Sequence, residues 1–226
     1  MARGRASGYN DQRQAILDQA ALLFARQGYS ATSMNQVAQA CGLSKATLYH
    51  YNRDKYSLLV SIADGHVSRL QTLVESITPP DQSPRAPPAP SPREHLEHLI
   101  HRIMAEYADA RHAHRVLTED VKFLQPEDQA RVLDKERQVV AGVARAVSAL
   151  RPELAAGDLT KPLTMLLFGM INWMFTWMRP DGALTHEAMA PIVSDLFLGG
   201  LHAVRSHPPA PQTLRATGVA PKTVNA

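Results

Sequence analysis

The feature that most constrains this chain is residues 33–55, which predict two short helices joined by a tight turn. Ser33 is a preferred N-cap residue, and Gln36 three residues later completes a capping box that starts the first helix. Gly42 supplies the left-handed residue that ends this helix, and Ser44 caps the next one. A three-residue turn containing glycine is typical of a helix-turn-helix unit, whose second helix enters the DNA major groove.

Positive charge is concentrated in the same part of the chain. Residues 1–55 contain seven Lys or Arg residues and three Asp residues, a net charge of +4. The whole chain carries +3, so residues 56–226 carry a net charge of −1. A modestly basic chain would indicate little, but this asymmetry favours a polyanionic partner for the N-terminal part.

These residues also carry a family resemblance. The matching motifs are Leu23-Phe24-Ala25-Arg26-Gln27-Gly28-Tyr29, Thr32-Ser33, Val37-Ala38, Gly42-Leu43-Ser44, Thr47-Leu48-Tyr49-His50 and Lys55-Tyr56-Ser57-Leu58-Leu59. Over roughly residues 10–60 the chain resembles the N-terminal domain of TetR-family transcriptional repressors, with one departure at Asn52, where the family usually has an aromatic residue. The resemblance implies an all-α homodimer with a C-terminal ligand-binding domain, bound to a palindromic DNA operator until a small-molecule effector releases it.

Candidate DNA contacts lie on and around the second helix of this unit. Their polar side chains suit base edges and phosphates, and the set comprises Ser44, Lys45, Ala46, Thr47, Tyr49, His50 and Tyr51. The resemblance implies that Thr32, Ser33, Tyr49, His50 and Lys55 clamp phosphates, whereas Lys45, Ala46 and Thr47 face the bases. Leu48 is expected to anchor the helix to Val37 and Leu43. A solvated polar helix in another all-α domain is disfavoured, because periodicity, caps and charge agree.

The 226 residues divide into three predicted parts. Residues 1–55 form the DNA-binding domain, in which residues 1–9 are a disordered basic arm. Arg3 and Arg5 in this arm suit a minor groove, although a plain disordered terminus fits equally well. Residues 56–206 form a helical ligand-binding and dimerisation domain, and residues 207–226 a disordered tail.

Helical spacing of apolar residues recurs along the chain without any strand pattern, which predicts an all-α fold. The expected helices are residues 11–27, the two short helices, and segments starting near Arg53, 94–124, 126–150, 160–178 and 185–204, the last bent at Pro191. Residues 78–93 include seven prolines and are expected to be an extended linker, in preference to a docking ligand. Residues 179–182 are expected to form a turn.

The apolar segment 163–178 is the second informative feature. Both tryptophans and four of the eight methionines lie between residues 165 and 178. Methionines beside aromatic rings suit a pocket for apolar ligands, although ordinary core packing is the simpler alternative for any single residue. The candidate ligand-binding residues are Met170, Trp173, Met174, Trp177, Arg115 and Phe123. The last two long helices resemble the dimerising pair of the family, which implies Leu196, Phe197 and Leu201 at a dimer interface.

Other functional classes find little support. A single cysteine, Cys41, excludes a disulfide within one chain, and the N-terminus and the sixteen-residue apolar segment fit neither a signal peptide nor a membrane span. We therefore expect a soluble cytoplasmic protein. His95, His98 and His101 are expected on a solvated helix face without metal, and no catalytic motif or cofactor site is apparent.

The identity of the effector is the least constrained prediction. Arg102, Arg111, Arg115 and Arg179 suit a carboxylate or phosphate on an apolar body. The C-terminal pattern resembles family members that sense fatty-acyl or related acyl-CoA compounds. The rival interpretation from another functional class is a helical small-molecule carrier or sensor with a non-functional DNA-binding head, which the clustering of basic residues disfavours.

Overall fold

The computed structural model describes residues 3–77, 90–178, 182 and 184–205. These residues form α-helices and two short 3-10 helices, with no strand among them. The α-helices are α1 (Arg3–Gln27), α2 (Met34–Ala40), α3 (Lys45–Tyr51), α4 (Lys55–Ile77), α5 (Pro92–Asp109), α6 (Arg111–Glu119), α7 (Pro126–Leu150), α8 (Thr160–Trp177) and α9 (His186–Ala203). The 3-10 helices are Val121–Phe123 and Pro152–Gly157. The predicted all-α fold is confirmed.

The predicted helix starts and stops in the N-terminal unit are confirmed at atomic detail. Ser33 and Gln36 form a complete capping box at the start of α2, and the Ser44 side chain accepts a hydrogen bond from the Thr47 backbone at the start of α3. Gly28 and Gly42 adopt φ values of +88° and +64° where α1 and α2 end. This left-handed conformation is one that glycine adopts without strain.

Three predicted boundaries were wrong. Helix α1 begins at Arg3, within the segment expected to be a disordered arm, although Gly4 and Gly8 are poor helix formers; Tyr9 in this segment stacks on Tyr51 of α3. Helix α5 begins at Pro92, within the expected linker, because a capping box between Ser91 and Glu94 starts it and proline is favoured in the first turn. The single helical pattern expected over 94–124 is divided at Ala110 into α5 and α6.

Two apolar cores explain this division. One core contains buried residues of α1–α3 and the first half of α4, together with Val116 and Leu117 of α6. The other contains the second half of α4 and the buried faces of α5, α7, α8 and α9. The break at Ala110 lets α5 pack in one core and α6 in the other, and α4 runs through both.

Several predictions fall on residues that the structure leaves undescribed: most of the linker (78–89), the turn residues 179–181 and the tail from 206 onward. Within the described part, no helix is long and apolar enough to cross a membrane.

Candidate DNA-binding surface and effector cavities

The outer face of α3 presents polar side chains on a buried anchor. Leu48 has no exposed surface and packs in the N-terminal core, whereas the candidate contacts on either side of it are exposed: Ser44, Lys45, Ala46, Thr47, Tyr49 and His50. The hydroxyl groups of Ser44 and Thr47 lie 2.8 Å apart. All of these exposed side chains except that of Ala46 carry hydrogen-bonding groups, as readout of a groove requires. Asn52, which caps the C-terminus of α3, is buried.

Two residues of the expected phosphate-contact set, Ser33 and Lys55, flank α3. Ser33 is exposed at the N-terminus of α2. The Lys55 ammonium donates hydrogen bonds to the backbone oxygens of Tyr29 (2.8 Å) and Ser30 (3.2 Å) and lies 4.4 Å from the centre of the Tyr29 ring. Since an ammonium has three N–H donors, these two bonds orient the group and leave one donor for a phosphate.

Two residues of the expected DNA-binding set differ from the prediction. Thr32 is buried, and its hydroxyl donates to the Gly28 backbone oxygen (2.9 Å) and accepts from Gln27 (3.1 Å). The Thr32 hydroxyl therefore stabilises the turn after α1 and does not face a phosphate. Tyr51 is half-buried, because its ring stacks on that of Tyr9 in α1 at 4.7 Å between centroids.

Three adjacent cavities lie in the C-terminal part. An apolar chamber of about 160 Å³, which is partly open to solvent beside the exposed Met165 and Thr118, is lined by Val67 and Leu70 of α4, Val139 and Val140 of α7, and Met165 and Phe168 of α8, together with Tyr107, His114, Leu117, Thr118, Glu136 and Asn172. A narrow passage of about 10 Å³ is lined by Met104, Tyr107, Arg111, His114, Ile171, Met174 and His186. A surface cleft of about 590 Å³ is lined by Arg26, Ala108, Arg111, His112, Arg115, Met178, Leu184, Thr185, His186 and Glu187.

The walls of these cavities are shared. Tyr107 and His114 border both the chamber and the passage, and Arg111 and His186 border both the passage and the cleft. A ligand that filled all three would place its apolar end beside α4 and its other end among basic side chains. The passage is wide enough for about one water molecule, so such a ligand must displace side chains, among them the flexible Met104 and Met174.

A buried polar cluster, which the sequence analysis missed, joins these cavities to α4. His66 of α4 is fully buried, and its Nε2 atom lies 3.3 Å from Nδ1 of His114. The His114 ring stacks on Tyr107 at 3.7 Å between centroids. Burial lowers the pKa of both histidines, that of His114 to about 3, so both are neutral near neutral pH. On the outer side of His66, Glu106 accepts a 2.8 Å hydrogen bond from Arg69.

The expected ligand-binding set is only partly at these cavities. Met174 is buried on the wall of the passage, and Arg115 lines the cleft. Trp173 and Trp177 are 67% and 53% exposed and line none of the three cavities. Helix α8 is apolar nearly all round, but its fully buried apolar face in the core is the one with Leu167, Phe168, Ile171 and Met174. The tryptophans lie on the opposite face.

Met170 and Phe123 also lie elsewhere. Met170 is half-buried against the C-terminal core and lines none of the three cavities. Phe123 is 41% exposed and packs against Tyr29 at 5.4 Å between ring centroids, beside the DNA-binding domain.

The expected dimer-interface set is also divided. Leu196 is 65% exposed, but Phe197 and Leu201 are buried in the C-terminal core, where α9 packs against α5. A helix can present only part of its circumference to a partner chain, so these two positions were wrong. The exposed apolar residues on α8 and α9 are Met165, Leu166, Trp173, Trp177, Ile192 and Leu196.

The histidines of α5 differ from the expected solvated face. His98 is exposed, but His95 is buried and His101 half-buried. Burial, together with the charge of His98, lowers the pKa of His95. In the described residues no group of three His, Cys, Asp or Glu side chains could hold a metal ion.

Comparisons with known proteins identify the family. Residues 16–62 match the bacterial regulatory proteins of the tetR family, and residues 89–201 match the tetracyclin repressor-like C-terminal domain. A TetR-family transcriptional regulator from Bordetella parapertussis 12822 is 33% identical with a TM-score of 0.74, and the alignment covers 86% of this chain and 98% of that one. The chain belongs to the TetR family.

Two further relatives of this TetR-family protein are informative. The HTH-type transcriptional repressor KstR2 of Rhodococcus jostii (strain RHA1) is 27% identical over 86% of this chain and 93% of its own length. AibR, whose crystal structure contains isovaleryl coenzyme A and operator DNA, shares the fold at 24% identity and a TM-score of 0.66, covering 82% of this chain and 97% of that one. The protein is thus a DNA-binding transcriptional repressor of the TetR type and not an enzyme.

Proposed function

We propose that this TetR-family protein is a ligand-responsive repressor, which binds a palindromic operator as a homodimer and is released by an effector with an apolar body and an anionic group. Acyl-CoA compounds and organic acids have this chemistry. The observation that carries the proposal is the row of three cavities, which begins among basic side chains and ends in an apolar chamber against α4.

In the proposed DNA complex, Lys45, Ala46 and Thr47 face base edges in the major groove. Ser33, Tyr49, His50 and Lys55 bind phosphates. The exposure of the other side chains and the two backbone hydrogen bonds that orient the half-buried Lys55 support these roles.

The size and charge of the chamber limit the effector. An apolar cavity of about 150 Å³ in another protein accommodates benzene, so a chamber of about 160 Å³ suits an apolar group of about six carbon atoms. The described lining contains Glu136 but no Lys or Arg, and burial raises the pKa of Glu136. The end of the effector in the chamber is therefore uncharged, and its anionic group lies toward the cleft. The isovaleryl coenzyme A bound by AibR has this distribution of charge.

The His66–His114–Tyr107 cluster provides a route from effector to DNA. A ligand that fills the passage contacts Tyr107 and His114, which border it. His114 contacts His66 on α4, the helix that passes through both cores and begins at Lys55 beside the DNA-binding surface. A displacement of α4 changes the position of α3 relative to a second copy of the chain. The coupling free energy of such systems is about 1–3 kcal/mol.

The proposed homodimer interface is the exposed apolar face of α8 and α9. Leu166, Trp173 and Trp177 lie on α8, and Ile192 and Leu196 lie on α9. A side chain built at Gly169 or Gly199 would meet nothing within 4 Å, which leaves room for close approach of a partner helix. Exposed apolar surface of this extent is typical of an association surface.

An electrophoretic mobility shift with the DNA upstream of the protein's own gene tests the proposal. We expect a sequence-selective, salt-dependent complex that acyl-CoA compounds or organic acids with a short acyl group dissociate. Selective DNA binding that none of these compounds alters would contradict the proposed class of effector. Acyl-CoA binding without any selective DNA binding would instead support a helical carrier.

A further inference from the structure

The surface cleft joins three helices through basic side chains. Arg26 lies in the last turn of α1, within the DNA-binding domain, and Arg111, His112 and Arg115 lie in the first two turns of α6. His186 is the first residue of α9. Of the described residues that line the cleft, Glu187 is the only acidic one. Three guanidinium groups and two imidazoles therefore face one opening with a single carboxylate among them.

The positive charges act on one another across this cleft. Burial is the largest cause that lowers the pKa of His112, and the charges of Arg111, Arg26 and Arg115 lower it further. Burial and the charge of Arg111 likewise lower the pKa of His186. The Nε–H of Arg111 donates a 3.2 Å hydrogen bond to Nε2 of His112, a neutral acceptor. Arg115 pairs with Glu119 at 3.1 Å, but both side chains are 45% exposed, where ion pairs are weak. Like charges held this close favour a bound anion.

The backbone at the start of α6 adds hydrogen-bond donors. The first residue of α6 is Arg111, and no side chain caps this end of the helix. Uncapped N–H groups at a helix N-terminus donate hydrogen bonds to phosphate oxygens, whereas the dipoles of α5 and α6 oppose each other here because α5 ends at the same residue, Ala110. This end of α6 carries Arg111 and His112 of the cleft, so backbone and side-chain donors act in the same region.

We propose that this cleft binds the phosphate groups of the effector, and that Arg26 makes the DNA-binding domain itself part of the effector site. The inference rests on the proposed function, because it assigns the polar end of an effector whose apolar end occupies the chamber. A single carboxylate needs one arginine, whereas three arginines and a volume of about 590 Å³ match a larger anion with several phosphate charges. Coenzyme A thioesters carry such phosphates.

The consequence is a bridge between the two domains. A phosphate held by Arg26 on one side and by Arg111 or Arg115 on the other ties the end of α1 to the start of α6. Effectors with phosphates thus constrain the DNA-binding domain directly, in addition to their effect through His114. An acid with the same acyl group but no phosphate lacks this contact.

Titration calorimetry with hexanoyl-CoA, hexanoate and free coenzyme A tests the proposal on wild-type protein, Arg26→Gln and Arg111→Gln. The matched control is Arg137→Gln, because Arg137 is an exposed arginine of α7 that pairs only with Asp134 among the described residues and lies outside the cleft. We expect each cleft variant to weaken hexanoyl-CoA binding by about tenfold or more, since charge-assisted bonds to phosphate are lost. In Arg26→Gln, hexanoate affinity should change less than about twofold, because Arg26 lines the cleft but not the passage, and the control should bind all three compounds as wild type does.

Wild-type affinity of Arg26→Gln for hexanoyl-CoA would overturn the proposal, as would failure of both coenzyme A and hexanoyl-CoA to bind the wild-type protein. The mobility shift separates this result from the proposed function. One outcome is that hexanoate dissociates the operator complex while the cleft variants bind hexanoyl-CoA as tightly as wild type does. That outcome would support the effector-responsive repressor and reject the phosphate site. If hexanoyl-CoA binding depends on Arg26 but leaves the operator complex intact, the result would support the phosphate site and reject the proposed effector response.

Discussion

Replacing Gly142 by alanine perturbs the packing between α4 and α7. A Cβ atom built at Gly142 would lie 2.2 Å from Cγ1 of Val74, far inside the separation of real carbon atoms. Gly142 is buried in α7, and Val74 is buried in α4. Relief of so short a distance requires a new χ1 rotamer of the buried, β-branched Val74 or a separation of α4 and α7, and either change disrupts the packing between these helices.

The magnitude follows from two opposing effects. Overpacking of a core costs about 1–3 kcal/mol in the free energy of unfolding. Alanine also favours a helix over glycine by about 1 kcal/mol. The expected net loss for Gly142→Ala is therefore up to about 2 kcal/mol. Gly65→Ala on α4 is the matched control, because the nearest atom to its added Cβ would be an arginine nitrogen of Arg69 at 3.9 Å. That variant keeps only the helical gain and should be more stable than wild type by about 0.5–1 kcal/mol.

Urea denaturation followed by circular dichroism measures both variants. Val74→Ala combined with Gly142→Ala should recover part of the loss, because the clashing methyl groups are absent, and the double-mutant cycle isolates this coupling. Equal stabilisation by Gly142→Ala and Gly65→Ala would refute the close approach of α4 and α7. Because α4 carries Lys55, operator affinity by fluorescence anisotropy should also fall for Gly142→Ala and stay unchanged for Gly65→Ala.

Three further predictions concern DNA, assembly and pH. Lys55→Ala should weaken binding to all DNA sequences similarly and reduce the slope of log affinity against log salt concentration by about one unit. Thr47→Ala should instead change the preferred sequence, because the lost base contact is worth about 1–3 kcal/mol of discrimination. Footprinting across sequence variants separates the two effects. Leu196→Glu should convert the dimer to a monomer, as measured by light scattering, and should shift the fluorescence emission of both tryptophans to longer wavelength. An unchanged dimer would contradict the proposed interface. His114 has a pKa near 3 in the folded state against 6.5 ordinarily, so only the unfolded chain takes up a proton between these values. The free energy of unfolding should therefore fall as pH decreases from about 6.5 toward 3, by up to about 1.4 kcal/mol per pH unit. In His114→Phe the fall should be less steep, and thermal denaturation at several pH values measures both proteins.

The N-terminal unit was predictable from sequence because its signals are local. The capping box at Ser33 and the glycines at 28 and 42 act within a few residues of themselves, so their effect does not depend on the rest of the fold. The buried Leu48 between exposed polar neighbours follows from helical periodicity in the same way. The long helices 126–150 and 160–177 were likewise marked by proline and by their apolar spacing.

What the sequence by itself determined is thus the helical fold, the positions of most helix ends and the exposed polar positions of α3. Only the tertiary structure decided which side of an almost wholly apolar helix meets the core. Periodicity does not predict that Met174 is buried and Trp173 exposed on α8, or that Phe197 is buried and Leu196 exposed on α9. All four are apolar, so the neighbouring helices decide which of them is buried. The His66–His114 contact joins residues 48 positions apart, and the cleft brings Arg26 to Arg111. Such sites arise where separate helices converge, and no local pattern encodes that convergence.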